Sequence, residues 1–138
     1  MSFLISNNFQ LTQIPGDGNC FYKAVAEAYY KDQEFHKTLR HMTMNRLVDE
    51  HEKYAVYLSD NVPNMLRAIA ANRRLGVWNT EISDLAVTIV PELLKVTLKI
   101  HDVDADNKIN TITIGESETI IHLLRTNGNH YDLLTTIV

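Results

Sequence analysis

The one thiol in this chain, Cys20, closes the segment Ile14-Pro-Gly-Asp-Gly-Asn-Cys20 and opens an apolar run, Cys20-Phe-Tyr-Lys-Ala-Val-Ala-Glu-Ala-Tyr-Tyr30. Sulfur attacks a carbonyl as the thiolate, and a free cysteine is mostly protonated at neutral pH. The N-terminus of a helix favours negative charge through its unpaired N–H groups and aligned peptide dipoles, so a cysteine opening a helix stands where a nucleophile is useful. Those N–H groups, with the amides of a glycine-rich loop, can also hold an oxyanion. Gly16 and Gly18 let such a loop turn its amides inward without a Cβ penalty. The plain alternative is a small buried hydrophobe at the start of a core helix.

A thiol nucleophile needs a base, and six histidines are available: His36, His41, His51, His101, His122 and His130. The first three fall on a polar stretch and read as solvated helix positions. His101 adjoins a turn, and His122 lies mid-strand, where core and surface are both open to it. His130 follows the turn signal Asn127-Gly128-Asn129 and precedes Asp132 by two positions. On a strand, residues i and i+2 share a face. Asp132 can therefore hold one ring nitrogen of His130 while the other addresses Cys20, the relation of nucleophile, base and orienter. A turn histidine beside a capping aspartate is the plain alternative.

Metal chemistry is not expected. A single cysteine excludes an intrachain disulfide and a multi-cysteine zinc site. Asp102-Val-Asp-Ala-Asp106-Asn-Lys-Ile109 imitates the start of a calcium loop, but Asn107 stands where glycine is required and Thr113 where the bidentate glutamate would be. It reads as an acidic turn. His51-Glu52 begins like a zinc-protease helix, but residue 55 is Ala, so the second ligand is missing.

The elements that must position these groups divide the chain in two. Phe3 to Ile14 reads as extended. Helices are expected over Cys20–Tyr30, Glu34–Tyr54 and Pro63–Arg74, the last with Pro63 in its first turn. In them Phe35, Leu39, Met42, Leu47, Val48, Met65, Ile69 and Leu75 are expected to face inward. Gly76-Val77-Trp78-Asn79 breaks the third helix, and a short one follows from Thr80 to Val87 with Asn79 or Thr80 as its cap. From Lys95 the pattern alternates with period two, giving strands at Val96–Ile100, Ile112–Ile114, Thr119–Leu124 and His130–Ile137, the last pair joined by an Asn-Gly hairpin. Helices followed by strands predict an α+β fold, helices packed on a mostly antiparallel sheet. No repeat or linker interrupts the chain, and residues 1–138 read as one catalytic domain.

With those elements in place, Asp17-Gly18-Asn19-Cys20-Phe21-Tyr22 resembles the nucleophile motif of the OTU (ovarian tumour) family of deubiquitinating cysteine proteases. Asn129-His130-Tyr131-Asp132 resembles that family's histidine motif. Gly76-Val77-Trp78-Asn79, with Glu81 and Leu85 beyond, is similar to its Gly-x-Trp-Gly segment, with Asn79 where glycine is usual. The resemblance runs from about Ile14 to Leu134. It implies a papain-type cysteine protease fold that cleaves the bond after the C-terminal glycine of ubiquitin or a ubiquitin-like modifier. Cys20 would be nucleophile, His130 base and then acid, Asp132 the orienter, and Asp17 the aspartate that holds the oxyanion loop. The amides of Cys20 and of the loop Gly16, Gly18 and Asn19 would form the oxyanion hole. Trp78 would wall the channel for the glycine tail, and Glu81 would guide the tail's arginines. Tyr131, pointing away from His130, belongs to the core. Two other readings stay open: a catalytically weak ubiquitin-binding module on the same fold, and an unrelated Cys-His acyl-transfer enzyme.

Composition sets the surroundings. Thirteen basic against seventeen acidic residues give a net charge of −4, which argues against a nucleic-acid partner and for a basic one. No run reaches the ~18 apolar residues of a membrane helix. A lone thiol suits a reducing compartment. The expectation is a monomer without cofactor, acting on ubiquitin or ubiquitin-like conjugates in the cytoplasm, a host's cytoplasm if the protein is an effector.

Overall fold

Alternating apolar and polar residues after Lys95 build four strands: β2 (Thr97–Val103), β3 (Ile109–Ile114), β4 (Ile120–Thr126) and β5 (His130–Thr136). The N-terminal segment adds β1 (Phe9–Thr12). The computed structural model describes residues 2–60, 62–78 and 80–137. Within it the strands form one sheet in the order β1-β5-β4-β2-β3. β1 with β5, β4 with β5 and β2 with β3 are antiparallel, and β2 with β4 is parallel. Three of the four pairings are antiparallel, so the sheet is mixed and, as expected, mostly antiparallel. The β4–β5 turn is tight because Asn127 and Gly128 both take left-handed backbone, at φ 55° and 71°, the geometry that suits strand twist.

Among the described residues six α-helices flank the strands: α1 (Ser2–Ser6), α2 (Cys20–Tyr30), α3 (His36–Asp49), α4 (His51–Ala55), α5 (Met65–Asn72) and α6 (Glu81–Leu94). α2 is the central one. Phe21, Ala24 and Val25 are fully buried and join Leu98, Ile100, Leu123, Tyr131 and Leu133 of the sheet's inner face in one core. That core fixes both the helix that starts with Cys20 and the strand that starts with His130.

Several boundaries differ from the sequence reading. The N-terminal stretch begins as a helix before β1. The long second helix is broken: Gln33–Phe35 is a 3₁₀ turn, and Glu50 leaves helical geometry between α3 and α4, with Tyr54 buried beyond the break. No Gly or Pro marks that break. α5 starts at Met65, not Pro63, because Asn64 caps it by accepting from the Arg67 N–H at 3.0 Å. α6 runs through Pro91 to Leu94 rather than stopping near Val87; Thr80 and Ser83 close a capping box at its start. Asn79, the other candidate cap, lies outside the described residues. Phe35, Val48 and Leu75 are exposed, contrary to expectation, whereas Leu39, Leu47 and Ile69 are fully buried. His36 is buried rather than solvated.

The outer face of the sheet carries a second aromatic cluster. His101 and His122 stack, with Nε2 of His101 3.0 Å from Nδ1 of His122, and Nδ1 of His101 is 2.8 Å from the Thr111 hydroxyl. Phe3 of α1 and Phe9 of β1 pack on these rings. α1 is thereby attached to the sheet.

Candidate active site

Cys20 is the first residue of α2 and is 3% exposed. Its Sγ donates toward the Asn129 carbonyl at 3.7 Å. Burial pushes the thiol above its ordinary range; the Tyr131 and Phe21 backbone N–H groups pull the other way, and the Asp17 charge adds to the rise. In the preceding loop Asp17 makes a local turn. One carboxylate oxygen accepts the Asn19 N–H at 3.1 Å and the other pairs with Lys23 Nζ at 2.8 Å, one turn into the helix. Gly18 sits at φ 80°, where glycine alone is unstrained.

His130 opens β5, and its Nε2 is 2.9 Å from Asp132 Oδ1, the same-face pairing expected of positions i and i+2 on a strand. Asp132 is buried, and its Oδ1 also accepts the Ile14 N–H at 2.8 Å. One carboxylate therefore ties the histidine to the segment leading into the nucleophile loop. With Nε2 engaged, Nδ1 is the nitrogen left for other chemistry. It lies over Gly16, where an added Cβ would come within 3.4 Å of it. His130, Cys20, Gly16, Gly18, Asn129 and Trp78 line one cleft of about 200 Å³. Tyr131 is buried and packs edge-on against both Phe21 and Trp78, as expected of the β5 position that points away from His130.

Other expected site residues fall differently. Asn19 does not offer its amide to the cleft: the N–H is taken by Asp17, and the side-chain oxygen accepts the Gly76 N–H at 2.6 Å. Trp78 lines the cleft and stacks on Phe21 at 5.3 Å. Glu81 is not among the residues lining it. Both its oxygens accept from Ser59, at 2.8 Å from the N–H and 2.5 Å from the hydroxyl, tying the segment after α4 to the start of α6. Asn79 is outside the described residues. Among the described residues no group of three or more His, Cys, Asp or Glu could hold a metal. The acidic turn between β2 and β3 uses Asp104 to accept the N–H groups of Asp106 and Lys108.

Sequence reasoning missed Arg40. It lies mid-helix in α3, where an arginine reads as solvated, yet it is 1% exposed. Its Nη1 donates to the carbonyls of Asn72 and Val77, each at 2.9 Å. Its Nη2 donates to the Gly18 carbonyl at 3.1 Å and the Asn19 side-chain oxygen at 3.2 Å. The guanidinium carbon stands 4.5 Å from the Tyr22 ring centroid. Only the weakness of apolar periodicity in α3 hinted that polar groups are buried there.

A helix-start cysteine sharing a cleft with a strand histidine held by a carboxylate, on an α+β scaffold, is the arrangement of a papain-type thiol protease. The sequence profile described as OTU-like cysteine protease matches residues 15–131. The chain belongs to that family. Relatives include the ovarian tumor domain-containing deubiquitinating enzyme 6 of Arabidopsis thaliana, 27% identical over 131 residues, covering 94% of this chain and 25% of that protein. OTU domain-containing protein 1 of Mus musculus is 32% identical over 72 residues, covering 52% of this chain and 15% of that one. The chain thus spans a quarter or less of these relatives' length. Among solved structures, the OTU domain of OTUD1 superposes with a TM-score of 0.82 at 23% identity, over 97% of this chain and 90% of that one. An OTU domain solved in complex with ubiquitin gives 0.73 at 21%, over 92% and 69%. At these identities the structures establish the fold.

Proposed function

We propose that this protein is a deubiquitinase that hydrolyses the isopeptide or peptide bond after the C-terminal glycine of ubiquitin or a ubiquitin-like modifier. The observation that carries the reading is the engagement of His130 Nε2 by Asp132, which leaves Nδ1 in the cleft that Cys20 lines. The family assignment supports it, as do relatives named as deubiquitinating enzymes and a related domain solved with ubiquitin.

In this mechanism His130 Nδ1 takes the Cys20 proton as Sγ attacks the carbonyl carbon of the terminal glycine. The tetrahedral oxyanion forms at the N-terminus of α2, where the Cys20 N–H is a donor. The imidazolium returns the proton to the departing lysine or α-amine nitrogen as the C–N bond breaks, leaving a thioester. Water, deprotonated by His130, then releases the modifier. Asp132 orients the imidazole, Asp17 holds the loop, and Trp78 walls the narrow cleft, whose size suits a side-chain-free tail. The reaction draws on protein groups alone and needs a reduced thiol, which fits the cytoplasm.

Burial of Cys20 favours a second reading, a catalytically weak ubiquitin-binding module on the same fold. A ubiquitin carrying a C-terminal electrophile separates the two. Covalent capture by the wild type and not by Cys20→Ala supports the hydrolase. Tight binding without adduct supports the module, and the absence of both adduct and binding would rule out ubiquitin as the substrate.

A further inference from the structure

Two adjoining loops border the cleft. One carries Gly16, Gly18 and Cys20, and the other carries Gly76 and Trp78. Both are held from below by the same buried side chain. The Arg40 fork reaches four acceptors: the carbonyls of Asn72 and Val77 on the Trp78 side, and the Gly18 carbonyl and Asn19 side chain on the nucleophile side. Asn19 then completes the link by accepting the Gly76 N–H.

The orientation of one peptide follows. In a trans peptide the carbonyl and N–H point in opposite directions. Arg40 draws the Gly18 carbonyl toward α3, so the N–H of the same peptide, that of Asn19, faces away and meets the Asp17 carboxylate. The next peptide is fixed by the helix itself, since the Asn19 carbonyl accepts the Lys23 N–H at 2.9 Å. That leaves the Cys20 N–H aimed out of the helix start. A flip of the Gly18–Asn19 peptide would break both of its bonds, to Arg40 and to Asp17, and disturb the loop beside the nucleophile.

We propose that Arg40 is a positioning residue for the hydrolysis described above: its guanidinium locks the nucleophile loop to the Gly76–Trp78 loop and holds the Gly18–Asn19 peptide that leads into the amide meeting the oxyanion. The inference rests on that reading of the cleft, and its physical content, one cation clamping two loops, can be measured without turnover. Lysine cannot substitute, because an ammonium on a flexible stem lacks the planar fork that reaches acceptors on both sides.

The test uses the full chain as wild type, Arg40→Lys and Asn19→Ala, with three readouts. For Arg40→Lys, kcat on a ubiquitin C-terminal amide should fall roughly 10- to 100-fold while KM changes less than about threefold, the split expected when only the transition state loses a donor. Alkylation of Cys20 by iodoacetamide, which forms no oxyanion, should stay within about twofold of wild type. Exchange of the Gly76 and Asn19 amides should accelerate at least about tenfold. Asn19→Ala, changed at a partly exposed side chain, should give the same pattern at Gly76, and it carries the test if Arg40→Lys does not fold. Unchanged kcat and unchanged exchange in both folded variants would overturn the proposal. So would alkylation falling in step with kcat, which would mean a general loss of the site. A wild type that alkylates but cleaves no ubiquitin sinks the deubiquitinase reading alone; the exchange data then still decide whether Arg40 is the clamp.

Discussion

Gly18 and Gly76 meet backbone to backbone, and the Gly76 carbonyl occupies the space that a Cβ on Gly18 would need. Gly18→Ala must therefore both adopt a left-handed backbone, costing about 1–2 kcal/mol, and push the two loops apart. Since a misplacement of about 1 Å in reacting groups can cost 10²-fold, capture by an electrophilic ubiquitin should slow by about that factor. Gly128→Ala is the control: it shares the left-handed φ but has open space around it. It should lose about 1 kcal/mol and keep its capture rate. Denaturant midpoints and capture kinetics measured on both variants check this, and wild-type capture by Gly18→Ala would show that the loops need not touch.

Asp132 serves two partners with one oxygen, so its loss should appear twice. Asp132→Ala should lower kcat by about 10–10³ with KM changing less than about threefold; the effect is smaller than for a serine nucleophile because a thiol depends less on its base. It should also cost about 1–3 kcal/mol of stability, since the buried Ile14 N–H loses its acceptor. Asp17→Ala leaves that amide and His130 in place. Steady-state kinetics beside denaturation curves separate the two aspartates; a stability loss without a kcat loss would make Asp132 a structural residue only.

Burial raises the Cys20 thiol, so on the proposed mechanism the thiolate at neutral pH depends on His130. In His130→Ala, alkylation of Cys20 should become slow and should rise only above the ordinary thiol range, because a raised thiol loses its proton later. Mass-spectrometric alkylation rates across pH test this. Cys20→Ala should abolish cleavage, and chelators should leave the wild type untouched; activity lost in EDTA and restored by zinc would contradict a thiol mechanism.

The His101–His122 pair makes stability depend on acid. Burial, the neighbouring His122 and Lys99 hold His101 down to about 4, and burial and Lys99 lower His122. A histidine harder to protonate folded than unfolded contributes its full stability above the ordinary value of 6.5. That contribution is lost as pH falls from 6.5 toward 4 and does not change further below. Stability should therefore drop through that window, with α1 loosening first because Phe3 rests on the pair. His101→Gln, which cannot take up a proton, should flatten the difference between denaturant midpoints at about pH 7.5 and about pH 5. An unchanged slope would place the acid sensitivity elsewhere.

What the sequence disclosed was local. The nucleophile loop announced itself through glycines before a cysteine, and the His130–Asp132 pair through a two-residue spacing that a strand turns into a contact. Alternation found every strand after Lys95, and Asn127-Gly128 fixed their last turn. Long-range arrangement left no such mark. The parallel pairing of β2 with β4 depends on how chain segments return, not on the pattern of either strand. A short helix is expected to end near Val87, yet α6 continues through Pro91 to Leu94 among buried neighbours. Nothing in the sequence around Glu81 discloses that both its oxygens accept from Ser59, twenty-two residues earlier. Arg40 and His36 were hidden for one reason: a polar residue on a helix reads as solvated until the groups that surround it are known.

β5 lies between β1 and β4, two strands that come before it in the chain. During synthesis Cys20 leaves the ribosome long before His130, and N-terminal elements can begin to organise first. Until residues 130–136 emerge and slot between strands already made, the nascent thiol has neither base nor orienter. On the proposed mechanism, a chain stalled short of that strand would hold a thiol that nothing activates until the β4–β5 hairpin is made.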